Sequence, residues 1–320
     1  MKTVAAAALL LACSAAFAAT GHVYVTSEKD HAVTVLDART LDLVGRVATC
    51  KRPRHLQRLP DGSALLVACS DSGEADVIDL ASRRSVKRVP LGPDPEVFDL
   101  SPDGRTAYVS NEEDGELNVV DLPSGKRLRS VATGPEPEGV KVSADGRRVY
   151  VASEVANTVH VIDAAGGAVV KNVPVGKRPR RFALSPDGRE LWVSNELDAS
   201  VSVIDTQSLA VTHTVRFELQ GLRASDITPV GLVFSPDGTT VFVALGRANH
   251  VAFVDARGKH TTQHVLVGRR AWGLATSRDG TRLYVANGLS DDLTLVDVAR
   301  GRAVKTVAVG RVPHTVVVDD

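Results

Sequence analysis

Hydrophobic and polar positions along this chain alternate in short bursts, and the bursts return at a fixed interval. Val23-Tyr-Val, Ala107-Tyr-Val, Val149-Tyr-Val and Leu283-Tyr-Val each open an apolar segment, and a second apolar segment ending in Asp follows. The closing residue falls at Asp37, Asp79, Asp121, Asp163, Asp205, Asp255 and Asp297. The aromatic or Leu before it falls at Tyr24, Leu66, Tyr108, Tyr150, Trp192, Phe242 and Tyr284. Both series advance by 42 residues except for one step of 50, so one copy carries an eight-residue insertion. A period near 40 filled with short β-type segments predicts an all-β, seven-bladed β-propeller of four-stranded antiparallel blades.

The third copy shows how one blade is built. Strands are expected over 139–144, 148–153, 158–163 and 168–173, with Asp145-Gly146 as the first turn, because Gly accepts the positive φ such turns require. The Asp-Gly pair recurs at 61–62, 103–104, 187–188, 237–238 and 279–280. An Asp that closes the third strand in all seven copies reads as a turn residue accepting backbone hydrogen bonds. Residues 315–320 are expected to pair with the blade that begins near His22, which closes the ring and hides its sheet edges. The expected organisation is a single propeller domain over 19–320.

Composition narrows the function less than the repeat narrows the fold. Lys plus Arg and Asp plus Glu both number 38, so no net field favours nucleic acid or an anionic membrane. No transmembrane segment is expected, and the protein is expected to be a monomer. Residues 1–18 read as a secretory signal, with an apolar stretch before Ala16-Phe17-Ala18, and predict a periplasmic protein. A lipoprotein acylated at Cys13 is the alternative. Export would place Cys50 and Cys69 in an oxidising compartment, where a disulfide or a pair of packed thiols are both open.

Connectivity sorts the loops onto two faces. The Asp-Gly turns share one face; the crossovers into each blade share the other with the loops between second and third strands. The crossovers carry Gly-x-x-Pro at Gly92–Pro95, Gly134–Pro137, Gly176–Pro179 and Gly310–Pro313, and here the copies diverge. The candidate ligand- or partner-binding residues are Arg54, His55, Glu96, Glu138, Arg180, Arg181, Arg270, Trp272 and His314. Arginine in such a mouth suits bidentate recognition of carboxylates. Equally, these charges can pair with Glu28, Glu112, Glu113, Asp114, Glu154, Glu196, Asp198, Asp291 and Asp292 on neighbouring loops, an ordinary arrangement for a protein surface. No resident cofactor is expected. His55, His314 and Glu28 form the one histidine-bearing trio of metal-ligand type, but no tight His or Cys spacing accompanies it, so no metal is assigned. Trp272 is either a stacking platform or a packed core residue. The insertion within 217–229 is read as a lid or partner-contact loop, or as a tolerated surface insertion, with Phe217, Leu219 and Leu222 near the crossover face.

Tyr108-Val-Ser-Asn111, Tyr284-Val-Ala-Asn287 and the Ser-Pro-Asp-Gly turns at 101–104, 185–188 and 235–238 resemble the YVTN family of β-propellers. Within it the chain is most similar to the branch associated with PQQ-dependent catabolism. That resemblance implies an exported, non-enzymatic accessory protein holding a partner or small anionic ligand on the crossover face. Quinoprotein dehydrogenase or ABC-transport components are the implied partners. The alternative is a propeller enzyme of lactonase type, with His314 or His55 as base beside Arg54, Arg180 and Arg181, or a haem d1-like domain using one of those histidines as axial ligand. Catalytic residues are not assigned, because no acid–base–nucleophile set converges in the sequence.

Overall fold

The computed structural model describes residues 19–320; the expected signal segment and Cys13 lie outside the described residues. Seven four-stranded antiparallel sheets form the blades, numbered here from the amino terminus. Blade 1 joins the two ends of the described chain. Strand Pro313–Asp319 lies inside His22–Ser27, with Val23 facing Val318 and Val25 facing Val316. Gly21 N–H donates to Asp319 O at 2.7 Å beside them. The ring is therefore a closed propeller. Among the described residues no helix is long and apolar enough to cross a membrane.

Each blade buries both faces of its second and third strands against its neighbours, which is why those strands read as apolar rather than alternating. Trp192, Val201 and Val203 of blade 5 pack with Phe234 and Val241 of blade 6. Phe217, from the start of the insertion, is 2% exposed and belongs to this core. Phe217, expected near the crossover face, turns its ring inward there: an aromatic at the base of a long crossover gains more by sealing two blades. Leu222 does remain exposed. The insertion contains one 3-10 turn, Ala224–Asp226, and shortens the inner strand of blade 6 to Leu232–Phe234.

The repeated aspartates are scaffold. Asp37 accepts from the Arg39 and Thr40 amides at 2.9 and 2.8 Å, and Asp79, Asp121, Asp163, Asp205, Asp255 and Asp297 accept similarly from their own turns. On the same face, Ser101, Ser143, Ser185, Ser235 and Ser277 hydroxyls donate to the Asp of the adjoining Asp-Gly turn.

Candidate functional site

A β-bulge in the inner strand prepares the mouth of the channel. Strand pairing skips from Pro53 to Leu56, Pro95 to Phe98, Pro137 to Val140, Pro179 to Phe182 and Ala271 to Leu274, and likewise at Pro313 to Val316. The skipped pairs are Arg54-His55, Glu96-Val97, Glu138-Gly139, Arg180-Arg181, Trp272-Gly273 and His314-Thr315. Bulges re-aim side chains, and here every bulge presents a residue of the divergent set. In three of the six, a small hydroxyl from the second strand stitches the bulge down. Ser110 Oγ accepts from Val97 N–H at 3.1 Å and donates to Glu138 O at 2.6 Å; Thr26 and Ser194 make the matching links. Gly273 is needed where the inner strands converge, since a Cβ there would stand 2.2 Å from His314 O. The residue two before each bulge is left-handed in six copies, including Arg52 (φ 58°), Asp94 (φ 42°), Arg178 (φ 54°) and Arg270 (φ 58°).

Of the bulge residues, Arg54, Glu138, Arg180, Trp272 and His314 line a cavity of 410 Å³, with Glu28, Glu112 and Glu196 contributed by the second loops, whereas His55, Glu96 and Arg181 lie behind its lining. Its ion pairs divide it into three parts. In blades 4 and 5, Arg180 binds Glu154 and lies 3.3 Å from Glu138 and 3.7 Å from Glu196. Arg178 meets Glu154 at 2.6 Å and Glu196 at 3.4 Å, and Arg181 meets Glu138 at 2.8 Å. Three guanidiniums therefore serve three carboxylates. Burial alone would raise Glu138, but Arg180, Arg181 and Arg54 outweigh it and bring the carboxyl down to about 2.

Blades 1 to 3 are unbalanced. Arg54 reaches Glu96 at 2.5 Å and Glu28 at 3.9 Å; Arg52 reaches Glu28 at 3.6 Å, Asp71 at 3.5 Å and Asp94 at 3.7 Å. Glu112 lines the cavity without a cationic group within 4.0 Å. Burial, then the charges of Glu138 and Asp94, raises its carboxyl above the ordinary glutamate value. Glu96 is raised well above that value by burial and then by Glu138.

The third part is cationic. Arg247 and Arg270 line the cavity and have no carboxylate within ion-pair reach. Arg270 stacks on Trp272 with its guanidinium 4.6 Å from the ring centre, and Arg180 lies 5.3 Å from the same ring. Burial lowers the Arg270 pKa, as do the charges of Arg180 and Arg247. An anion at this spot would relieve both costs.

The histidines do less than their position suggests. Trp272 Nε1–H donates to His314 Nε2 at 2.6 Å, and His314 Nδ1 lies 3.1 Å from Thr315 Oγ1. Burial and then Arg54, Arg181 and Arg180 hold its pKa well below the ordinary histidine value. The imidazole is therefore neutral with its Nε2 lone pair already used, so it offers neither a free base nor an axial ligand. His55 packs edge-on against Phe98 at 4.8 Å, and burial, with Arg181 nearby, lowers its pKa to about 3. The metal-type groups that converge among the described residues are Asp94, Glu96 and Glu112, and the Cys50, Cys69 and Asp76 set, not the histidine trio. Cys50 and Cys69 form a disulfide with a Cα separation of 5.7 Å, joining the crossover into blade 2 to that blade's second strand.

Sequence reasoning placed the arginines and bulge residues in one mouth but treated Glu112 only as a rim charge and passed over Arg247. The signal for Glu112 was subtle: its blade offers glutamate at the bulge where blades 2 and 5 offer arginine.

The chain matches the family model described as "Lactonase, 7-bladed beta-propeller" over residues 80–221 and again over 163–319, the overlap reflecting the repeat. No curated protein matches it. Among solved structures, Kuenenia stuttgartiensis hydrazine synthase aligns with a TM-score of 0.76 at 23% identity, over 87% of this chain and 93% of that one. A functionally unknown protein from Desulfotomaculum acetoxidans DSM 771 gives 0.80 at 17% identity, covering 93% and 99%. Dihydro-heme d1 dehydrogenase NirN, solved in complex with DHE, gives 0.70 at 18%, covering 93% and 75%. At such identities these structures share the fold. The family match overturns the expected non-enzymatic accessory role in PQQ-dependent catabolism, and favours the enzyme alternative instead.

Proposed function

Because the chain belongs to the seven-bladed β-propeller lactonase family, we propose that it hydrolyses lactones carrying an anionic substituent, in the mouth of its central channel. The observation that carries this reading is the polarity left after ion pairing: unpaired guanidiniums at Arg247 and Arg270, and an unpaired carboxylate at Glu112, on the wall of one cavity. Blade 3 supplies Glu112 and blades 6 and 7 the arginines, so the two poles lie on different sides of the ring.

Arg270 and Arg247 would hold the anionic substituent, with the Trp272 face beneath the bound molecule. Glu112 would act as general base. It takes a proton from water as the water oxygen bonds to the lactone carbonyl carbon, and the proton passes to the alkoxide released when the ring C–O bond breaks. The product is the open hydroxy acid. A carboxyl raised above its ordinary value is matched to this work; burial raises Glu154 too, to about 7, but Arg178 and Arg180 hold it, whereas Glu112 has no such partner. The tethered His314 has no part in the proton transfer.

The YVTN-like repeat belongs to this reading as scaffold, and the Cys50–Cys69 disulfide supports export to an oxidising compartment. The test is hydrolysis of paired lactones that differ only in an anionic group. Turnover of the anionic member, lost in Glu112→Gln, supports the proposal; no turnover of any lactone refutes it.

A further inference from the structure

The acid wall of blade 3 has more carboxylates than its arginines can serve, and the excess converges on one point. Arg52 and Arg54 are the two guanidiniums there, and they already serve Glu28, Asp71, Asp94 and Glu96. Glu112 is a fifth carboxylate, with none. Oxygens of Asp94, Glu96 and Glu112 all lie within 4.8 Å of one another. Glu96 has no exposed surface, and its Oε1 accepts no hydrogen bond. Arg54 touches the other oxygen, Oε2. A wholly buried carboxylate oxygen without a partner is costly unless something positive meets it.

We propose that Asp94, Glu96 and Glu112 bind a divalent cation of the hard, oxygen-seeking class, calcium in particular. The donors are all carboxylate oxygens. Their mutual spacing suits ligands standing about 2.3–2.6 Å from a common calcium ion. The fold supplies the three from separate places: Asp94 from the left-handed residue that precedes the inner strand, Glu96 from the bulge, and Glu112 from the loop after the second strand. The equivalent trio in blade 4 is Glu136, Glu138 and Glu154, and there Arg180, Arg181 and Arg178 take up the charge of Glu138 and Glu154. The contrast is internal to the repeat and sharpest at the second-loop position: Glu154 meets two arginines in blade 4, whereas Glu112 meets none in blade 3. Such an ion would sit at the acid pole of the mouth and hold a water beside the Glu112 carboxylate. The inference rests on the ion-pair map and not on hydrolysis.

The experiment uses the chelator-stripped protein near neutral pH, titrated with calcium chloride by calorimetry and followed by thermal melting. The expected result is one-site binding with a rise in Tm that chelator reverses. Asp94→Asn and Glu112→Gln are each expected to weaken binding by about tenfold or more, the scale on which ligand charge tunes calcium sites. Glu113→Gln, just outside the trio, leaves it unchanged. Absence of heat and of a Tm shift in the wild type overturns the proposal, as does unaltered affinity in both ligand variants. An infrared signal from a protonated carboxyl that persists near neutral pH and disappears in Glu112→Gln also overturns it, since a shared proton then fills the gap. Calcium binding without lactone turnover leaves this inference standing and removes the hydrolytic reading; turnover without calcium binding does the reverse.

Discussion

Two halves of one mouth are made from the same repeat and reach different ends. In blades 4 and 5, three arginines and three glutamates neutralise one another in a buried cluster around Arg180. In blades 1 to 3, two arginines face five carboxylates, and Glu112 is left over. Charge that is fully paired has little left to offer a ligand; charge left unpaired beside a cavity does. On the proposed reading the balanced half is the structural part of the mouth, and the unbalanced half, with the free Arg247 and Arg270 elsewhere on the rim, the chemical part.

The sharpest way to break that division is to neutralise one carboxylate in each half. Glu112→Gln is expected to lower kcat for an anionic lactone by about 10²–10⁴-fold, the usual contribution of a positioned general base, while a urea melt shows stability unchanged. Arg180→Ala should do the converse first: removing the common partner of buried Glu138 and Glu154 is expected to cost about 3–5 kcal/mol of unfolding free energy, measured by the same melt. If both variants lose stability alike, the two halves are not different in kind.

The fold was legible because a propeller writes itself seven times, so Asp205 or Gly188 needed only to be counted. The bulges were visible as the pairs that follow the crossover positions, and Arg54, Glu138, Arg180, Trp272 and His314 among them line the cavity. Which of them were spent on one another was not visible. Arg54 and Arg180 are alike in the repeat, yet the neighbours that decide their roles come from other blades, at distances no spacing encodes. His314 misled for the same reason. Its partner Trp272 lies 42 residues away in the sequence and one blade away in the ring, and the bond between them removes the lone pair that made His314 attractive. Phe217 illustrates a different limit, since an insertion outside the repeat has no sister copies to say which side chains turn inward.

Two smaller effects refine the contrast. Arg270→Ala is expected to raise KM for the anionic lactone by about 10–100-fold, as for a lost hydrogen bond to a charged group at about 1.5–3 kcal/mol, and to leave the neutral analogue nearly unaffected. On the opposite face, the Ser277 hydroxyl, the Thr281 amide and the Thr281 hydroxyl lower the Asp279 pKa from 3.8 to about 2. A carboxyl lowered on folding gives stability that is complete above its unfolded pKa and is lost as pH falls through the folded one. Denaturant midpoints of wild type and Asp279→Asn should therefore differ most above pH 3.8 and converge as pH falls towards 2. The difference stays small because the group is exposed, and activity near neutral pH is the same in both.

The central claim is that the mouth is a bipolar site which reads an anionic lactone. Steady-state kinetics on a matched pair of lactones, one with a carboxylate substituent and one without, test it directly in the wild type, Arg270→Ala and Arg247→Ala. The account predicts that the wild type prefers the anionic substrate and that each arginine variant loses that preference through KM. A wild type that hydrolyses neither, or arginine variants that keep the full preference, would contradict it.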